Sequence, residues 1–156
     1  DMLWPDMTWM FILAYDVWNF QYTYLNLPTH SWYCGVALLL APTFAAAFWN
    51  KGGWIQNRAN TLALWCMFAQ VFPLFQDQGK FAVIPRLYAD GFMDAATHPT
   101  AVDPTAQGVI SVLSIVVNVV VFAAIIKRSM KLKKNPYKDE IWKGTKDYEE
   151  AMSRAE

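Results

Sequence analysis

Residues 108–126 read GVISVLSIVVNVVVFAAII, with no charge and a single amide, Asn118. A hydrocarbon core about 30 Å thick takes roughly 20 such residues as a helix, and a strand buried in a water-soluble protein is far shorter. The β-branched residues, strand formers elsewhere, are common in membrane helices, where hydropathy outweighs propensity. The run from Gln107 to Ile126 therefore predicts a transmembrane helix, and with it an all-α chain.

Working outward, three more segments approach the same length: Pro5 to Leu27, Trp32 to Trp49 and Trp54 to Phe75. The second, WYCGVALLLAPTFAAAFW, has tryptophans at both ends, as side chains that settle at the headgroup levels would be placed. Pro42 within it removes a backbone donor and predicts a kink. The expected fold is a polytopic membrane protein with four transmembrane helices. Residues 1–126 would form the bundle, with an outer loop at 76–106, and residues 127–156 a charged cytoplasmic tail. The opening Asp1 reads as the start of a C-terminal part of a larger helical bundle.

Charge supports that division. Of 13 Lys and Arg residues, nine lie from Lys127 onward, balanced in the whole chain by 13 acids. Lys51 and Arg58 flank the second connection, whereas NLPTHS, the first, has no basic residue. By the positive-inside rule both ends lie in the cytoplasm. The third connection carries Asp77, Asp90, Asp94 and Asp103 and falls outside, where FAVIPRLYADGFMDAA, residues 81–96, reads as a short surface helix. KRSMKLKK, residues 127–134, suits an anionic leaflet. Acidic neighbours further on deny the continuous basic face that nucleic-acid binding needs.

The chemistry is carried by few residues. In the first segment Asp16, Asn19, Thr23 and Asn26 recur every three or four positions and share one helix face. Asp16 falls about 15 Å from the cytoplasmic entry at 1.5 Å per residue, so near mid-membrane. An ionisable group at that depth is a candidate for proton or cation handling, while polar side chains also serve as glue between helices. Counting the same way brings Pro42, Thr43, Trp65 and Asn118 to a similar level, with Gln70 higher. Arg58 starts the third segment about two turns below Asp16 and reaches the cytoplasmic interface more readily than it reaches the carboxylate.

Other chemistries lack their residues. GxxxxGK[ST], HExxH, GxSxG and CxxC are all absent. His30 and Cys34 stand four apart with His98 far along the chain, which is too little to predict a metal. A retinal Schiff base needs a lysine inside a span and haem needs histidines at depth, and neither occurs. No cofactor is named by the sequence. Cys34 and Cys66 have no pairing motif.

The stretch YDVWNFQYTYLNLPTHSWYCGVALLLAPTFAAAFWNKGGWIQNRANTLALWCMFAQVFP, residues 15–73, resembles an uncharacterised family of bacterial multi-pass membrane proteins, a domain of unknown function. NRANTLALWCMF, residues 57–68, is its most specific part, and the tail NPYKDEIWKGTKDY, residues 135–148, is similar too. The resemblance implies an integral protein of a bacterial inner membrane, with further spans upstream. It carries no activity and assigns no residue a role.

Three functions are then open. The leading one is a transporter or channel for a proton, ion or small solute, in which Asp16 binds and Asn19, Thr23, Gln70 and Asn118 line the route. The alternative is a non-transporting scaffold or accessory subunit that meets other membrane subunits or a second copy, with membrane lipids around it. A membrane enzyme using Asp16 and His30 is the third.

Overall fold

The computed structural model describes residues 2–26, 33–72 and 104–154. In chain order they form α1 (Trp9–Asn26), a π-helical segment (Cys34–Leu40) that runs directly into α2 (Ala41–Phe48), α3 (Trp54–Val71), α4 (Pro104–Leu132) and α5 (Lys146–Met152). The expected surface helix at 81–96, most of the loop at 76–106, His30 and His98 lie outside the described residues.

The structure does not support the four expected crossings. Among the described residues only α4 is both long and apolar enough to cross a membrane. The other three segments are helical where expected, but each falls short for its own reason. The 18 residues of α1 contain Asp16, Asn19 and Gln21. Cys34–Phe48 is apolar but too short. The 18 residues of α3 open on the polar run Gln56, Asn57, Arg58 and Asn60, which leaves only its second half apolar.

Pro42 explains the form of the second segment. It is the second residue of α2 and has no N–H to give to the preceding turn. The chain widens upstream into π geometry, and the Ala41 N–H reaches back five residues to the Val36 carbonyl. Where the sequence predicts a kink, the helix is thus locally underwound ahead of the proline.

Packing joins these elements into one body. α1 lies along α4 and also touches the π-helical segment, while the π-helical segment and α2 both pack on α3. The centre is formed by Met7, Ala46 and Trp54, with Phe11, Ile12, Tyr15 and Ile55 against them. Trp54 is only 2% exposed. Burying a large side chain so completely contributes about 2–3 kcal/mol, and its indole N–H then needs a partner.

The charged C-terminal region is folded rather than a solvated tail. Ile141, Tyr148 and Ala151 are buried. Thr145 caps α5 by accepting the Tyr148 N–H, and Glu149 accepts the N–H of Gly144. The Asp6 carboxylate accepts the Trp142 N–H, and Arg128 donates to the Ile141 carbonyl while its guanidinium lies 4.7 Å from the Trp142 ring. Lys51 pairs with Asp147 at 2.8 Å and Glu150 at 3.4 Å. The result is a cap that ties the N-terminal segment, the α2–α3 turn and the end of α4 together.

Gly52 makes the tight point of that junction. Its φ of +80° suits glycine, and a Cβ there would meet Ala151 Cβ at 2.6 Å and Leu3 Cδ1 at 2.7 Å. The Trp4 N–H bonds the Gly52 carbonyl, so backbone and cap meet at one residue.

Candidate functional site

Asp16 sits in the middle of α1 facing α2. Its Oδ2 accepts a 2.6 Å hydrogen bond from Thr43 Oγ1, and Thr43 Oγ1 accepts a 2.9 Å bond from Trp54 Nε1. The direction is fixed by chemistry: an indole only donates, so the single hydroxyl proton of Thr43 is free to go to the carboxylate. Three elements, α1, α2 and α3, are thus joined through one hydroxyl. Asp16 Oδ1 is buried and has no hydrogen-bond partner among the described residues. Only one of the roughly four acceptor positions of the carboxylate is used by those residues.

Asp16 and Thr43 line a cavity of about 570 Å³. Thr8, Ile12 and Ala46 contribute to its wall, and Lys51 and Asp147, paired with each other, stand on its edge. The space is concave, largely apolar and furnished with few polar groups, the usual character of a small-molecule site. The charged groups on its lining are Asp16 and the Lys51–Asp147 pair.

Electrostatics near the cap agree with the contacts. The hydrogen bond to Asp147 holds the Lys51 ammonium above its ordinary range, and burial opposes it. A hydrogen bond to Glu140, with burial behind it, pushes the Tyr148 hydroxyl up to about 12. Burial raises Asp6, and the bond from the Trp142 N–H opposes that shift.

The comparisons with known proteins can now be set beside this geometry. A family model described as a family of unknown function, DUF5692, matches residues 1–154. The chain belongs to that family. No curated protein and no solved structure matches it. Membership of DUF5692 agrees with the domain of unknown function that the sequence resembles and attaches no chemistry to the site.

The site residues expected from sequence are only partly brought together in this DUF5692 chain. Thr23 is buried, and its hydroxyl bonds the carbonyls of Asn19 and Phe20 in its own helix, so it is satisfied locally. Asn118 donates to the Ser114 carbonyl at 2.9 Å and across to Ala14 at 3.3 Å, joining α4 to α1 two residues from Asp16. Gln70 is exposed on α3. Asn19 is half-buried, one turn beyond Asp16, and does not line the Asp16 cavity.

Arg58 is half-buried, with Nε and Nη1 buried and without hydrogen-bond partners. It forms no ion pair with Asp16 and lines a separate groove with Trp4, Phe11 and Tyr15. Depth counting along the sequence had brought Thr43 to the level of Asp16, and the structure gives that coincidence a bond. Trp54, Thr8, Lys51 and Asp147 were not legible as site residues, because their positions depend on how α2, α3 and the cap meet. Among the described residues no cluster of three or more His, Cys, Asp or Glu is placed to hold a metal ion.

Proposed function

We propose that this protein is a membrane-embedded binding component, anchored by α4, whose cavity between α1 and α2 takes a small solute with a cationic or hydrogen-bond-donating group. The observation that carries the reading is Asp16 on the wall of the 570 Å³ cavity, held by Thr43 yet with most of its acceptor capacity unused. A donor entering the cavity would find that acceptor amid apolar contacts, where the dielectric is low and the attraction strong. The Lys51–Asp147 pair at the edge then meets a solute before Asp16 does. Transport of a proton, ion or small solute extends this reading by adding release on a second side.

The test is binding of methylammonium, as a simple probe of this chemistry, to the purified chain reconstituted in lipid vesicles. Asp16→Asn keeps the size and the acceptor for Thr43 while removing the charge. Saturable binding by the parent chain, weakened at least tenfold by Asp16→Asn, is the expected result. Equal binding by the two proteins would remove Asp16 from the function. Accumulation of methylammonium inside the vesicles, abolished by the same substitution, would identify transport.

A second reading, a scaffold or accessory subunit, is supported by a different observation. Asn118 is spent on joining α4 to α1 and Thr23 on its own helix, and the outer faces of α3 and α4 are apolar, with Leu64, Val71, Val112 and Val119 exposed. Co-purification of a defined membrane partner, together with failure of Asp16→Asn to change any solute binding, would favour it.

A further inference from the structure

We propose that the C-terminal end of α4 is a docking surface for anionic phospholipid headgroups, formed by Lys127, Lys131, Lys133 and Lys134. The inference rests on the reading of α4 as a membrane helix and adds the chemistry of the leaflet it meets. The 29 residues of α4 extend about 43 Å, close to the full thickness of a bilayer with its headgroups. Its uncharged stretch, residues 108–126, covers about 28 Å of that, the depth of the hydrocarbon. The lysines begin at the next residue, so they fall in the headgroup layer and not beyond it.

Their counter-charges are the informative part. The neighbouring sequence is rich in acids that would neutralise the lysines if they folded back on them. They do not. Asp139 accepts the Asn135 N–H, Glu140 holds the Tyr148 hydroxyl, Glu149 accepts the Gly144 N–H, and Asp147 and Glu150 both take Lys51. Arg128, the remaining cation at this end of α4, is occupied with the Ile141 carbonyl and the Trp142 ring. The side chains of Lys127, Lys131, Lys133 and Lys134 are exposed and take part in no ion pair among the described residues.

The described acids are thus engaged with other groups, and about four positive charges lie within about 10 Å along the helix direction. Backbone geometry supports the cluster: Lys133 adopts a left-handed φ of 54°, and the Lys134 N–H bonds the Ser129 carbonyl, folding both residues back beside the helix end. Exposed Trp9 and Trp49, at 63% and 72%, lie at this same end of the molecule, joined to it through the cap. Tryptophan beside lysine at the rim of an apolar helix is the composition expected of a headgroup interface.

The experiment uses the full chain in phosphatidylcholine nanodiscs containing a minor fraction of dansyl-labelled phosphatidylglycerol. Energy transfer from the tryptophans reports enrichment of the anionic lipid, and dansyl-labelled phosphatidylcholine is the reference. Incorporation is scored first by co-elution with the discs. A chain that stays out of the discs overturns the membrane reading and the lysine surface with it. Once incorporated, the parent chain should enrich the anionic lipid several-fold over the reference, since each surface lysine contributes up to about a fivefold preference.

Replacing Lys127, Lys131, Lys133 and Lys134 with Gln should return the signal to the reference level. The matching set Lys138→Gln, Lys143→Gln and Lys146→Gln should leave it unchanged. Retained enrichment in the first set, or its loss in the second, would overturn the surface while leaving α4 in the membrane. Inorganic phosphate, compared with chloride at equal ionic strength, separates the two sources of such an anion. Unaltered transfer supports a lipid headgroup, and displacement by phosphate replaces it with a soluble anion site.

Discussion

At the scale of single residues, the fold turns on Thr43. One hydroxyl serves a carboxylate and an indole on two different helices, so its loss leaves both without their bond. Leaving a buried polar group unsatisfied costs about 1–3 kcal/mol. Thr43→Val, which keeps the shape, should therefore lower stability by about 2–4 kcal/mol in detergent-based thermal unfolding, while Thr43→Ser should cost about 1 kcal/mol. A larger loss from Thr43→Ser than from Thr43→Val would show that the methyl group and not the hydroxyl holds this junction. Asp16 was legible in the sequence because a carboxylate stands out in an apolar helix. Its bonded neighbours were not, since Thr43 reaches it, and Trp54 reaches Thr43, only through tertiary packing.

At the scale of elements, periodicity located helices better than it located membranes. The expected segments Pro5 to Leu27 and Trp54 to Phe75 contain α1 and α3 within a few residues, but helix length alone does not make a span. Asn19 and Gln21 in α1, and the polar first turns of α3, are what the count of apolar residues underweights. The C-terminal cap was the least legible element. Its buried residues, Ile141, Tyr148 and Ala151, are scattered among charges and show no repeating apolar face, so the segment reads as a solvated tail.

Two glycines test that cap. Gly52 and Gly144 both have positive φ, of +80° and +83°, but only Gly52 has neighbours where a Cβ would stand. Gly144→Ala should cost about 1 kcal/mol, the conformational penalty alone. Gly52→Ala adds a collision with Ala151 and Leu3 and should release α5, raising amide hydrogen exchange across residues 146–152 by at least tenfold. Equal exchange in the two variants would mean that the contact at Gly52 yields without cost.

At the scale of the whole molecule, the distribution of apolar surface sets the environment. Among the described residues only 11% of the most apolar window of α4 is buried, so the helix that is long and apolar enough to cross a membrane also leaves its apolar surface open. Val109, Val112, Ile115, Val119 and Phe122 all remain exposed beside α1. Exposed apolar surface on this scale marks a lipid or partner interface. This was the most legible part of the sequence, because an uninterrupted apolar run depends on no other element for its meaning.

The most direct measurement is therefore made on α4, with spin labels at Val119 and Lys131 in reconstituted membranes and collision rates recorded for oxygen and for a water-soluble nickel chelate. The label at Val119 should collide with oxygen and be shielded from nickel, with the reverse at Lys131. Equal access of nickel to the two positions would place the middle of α4 in water and contradict the account.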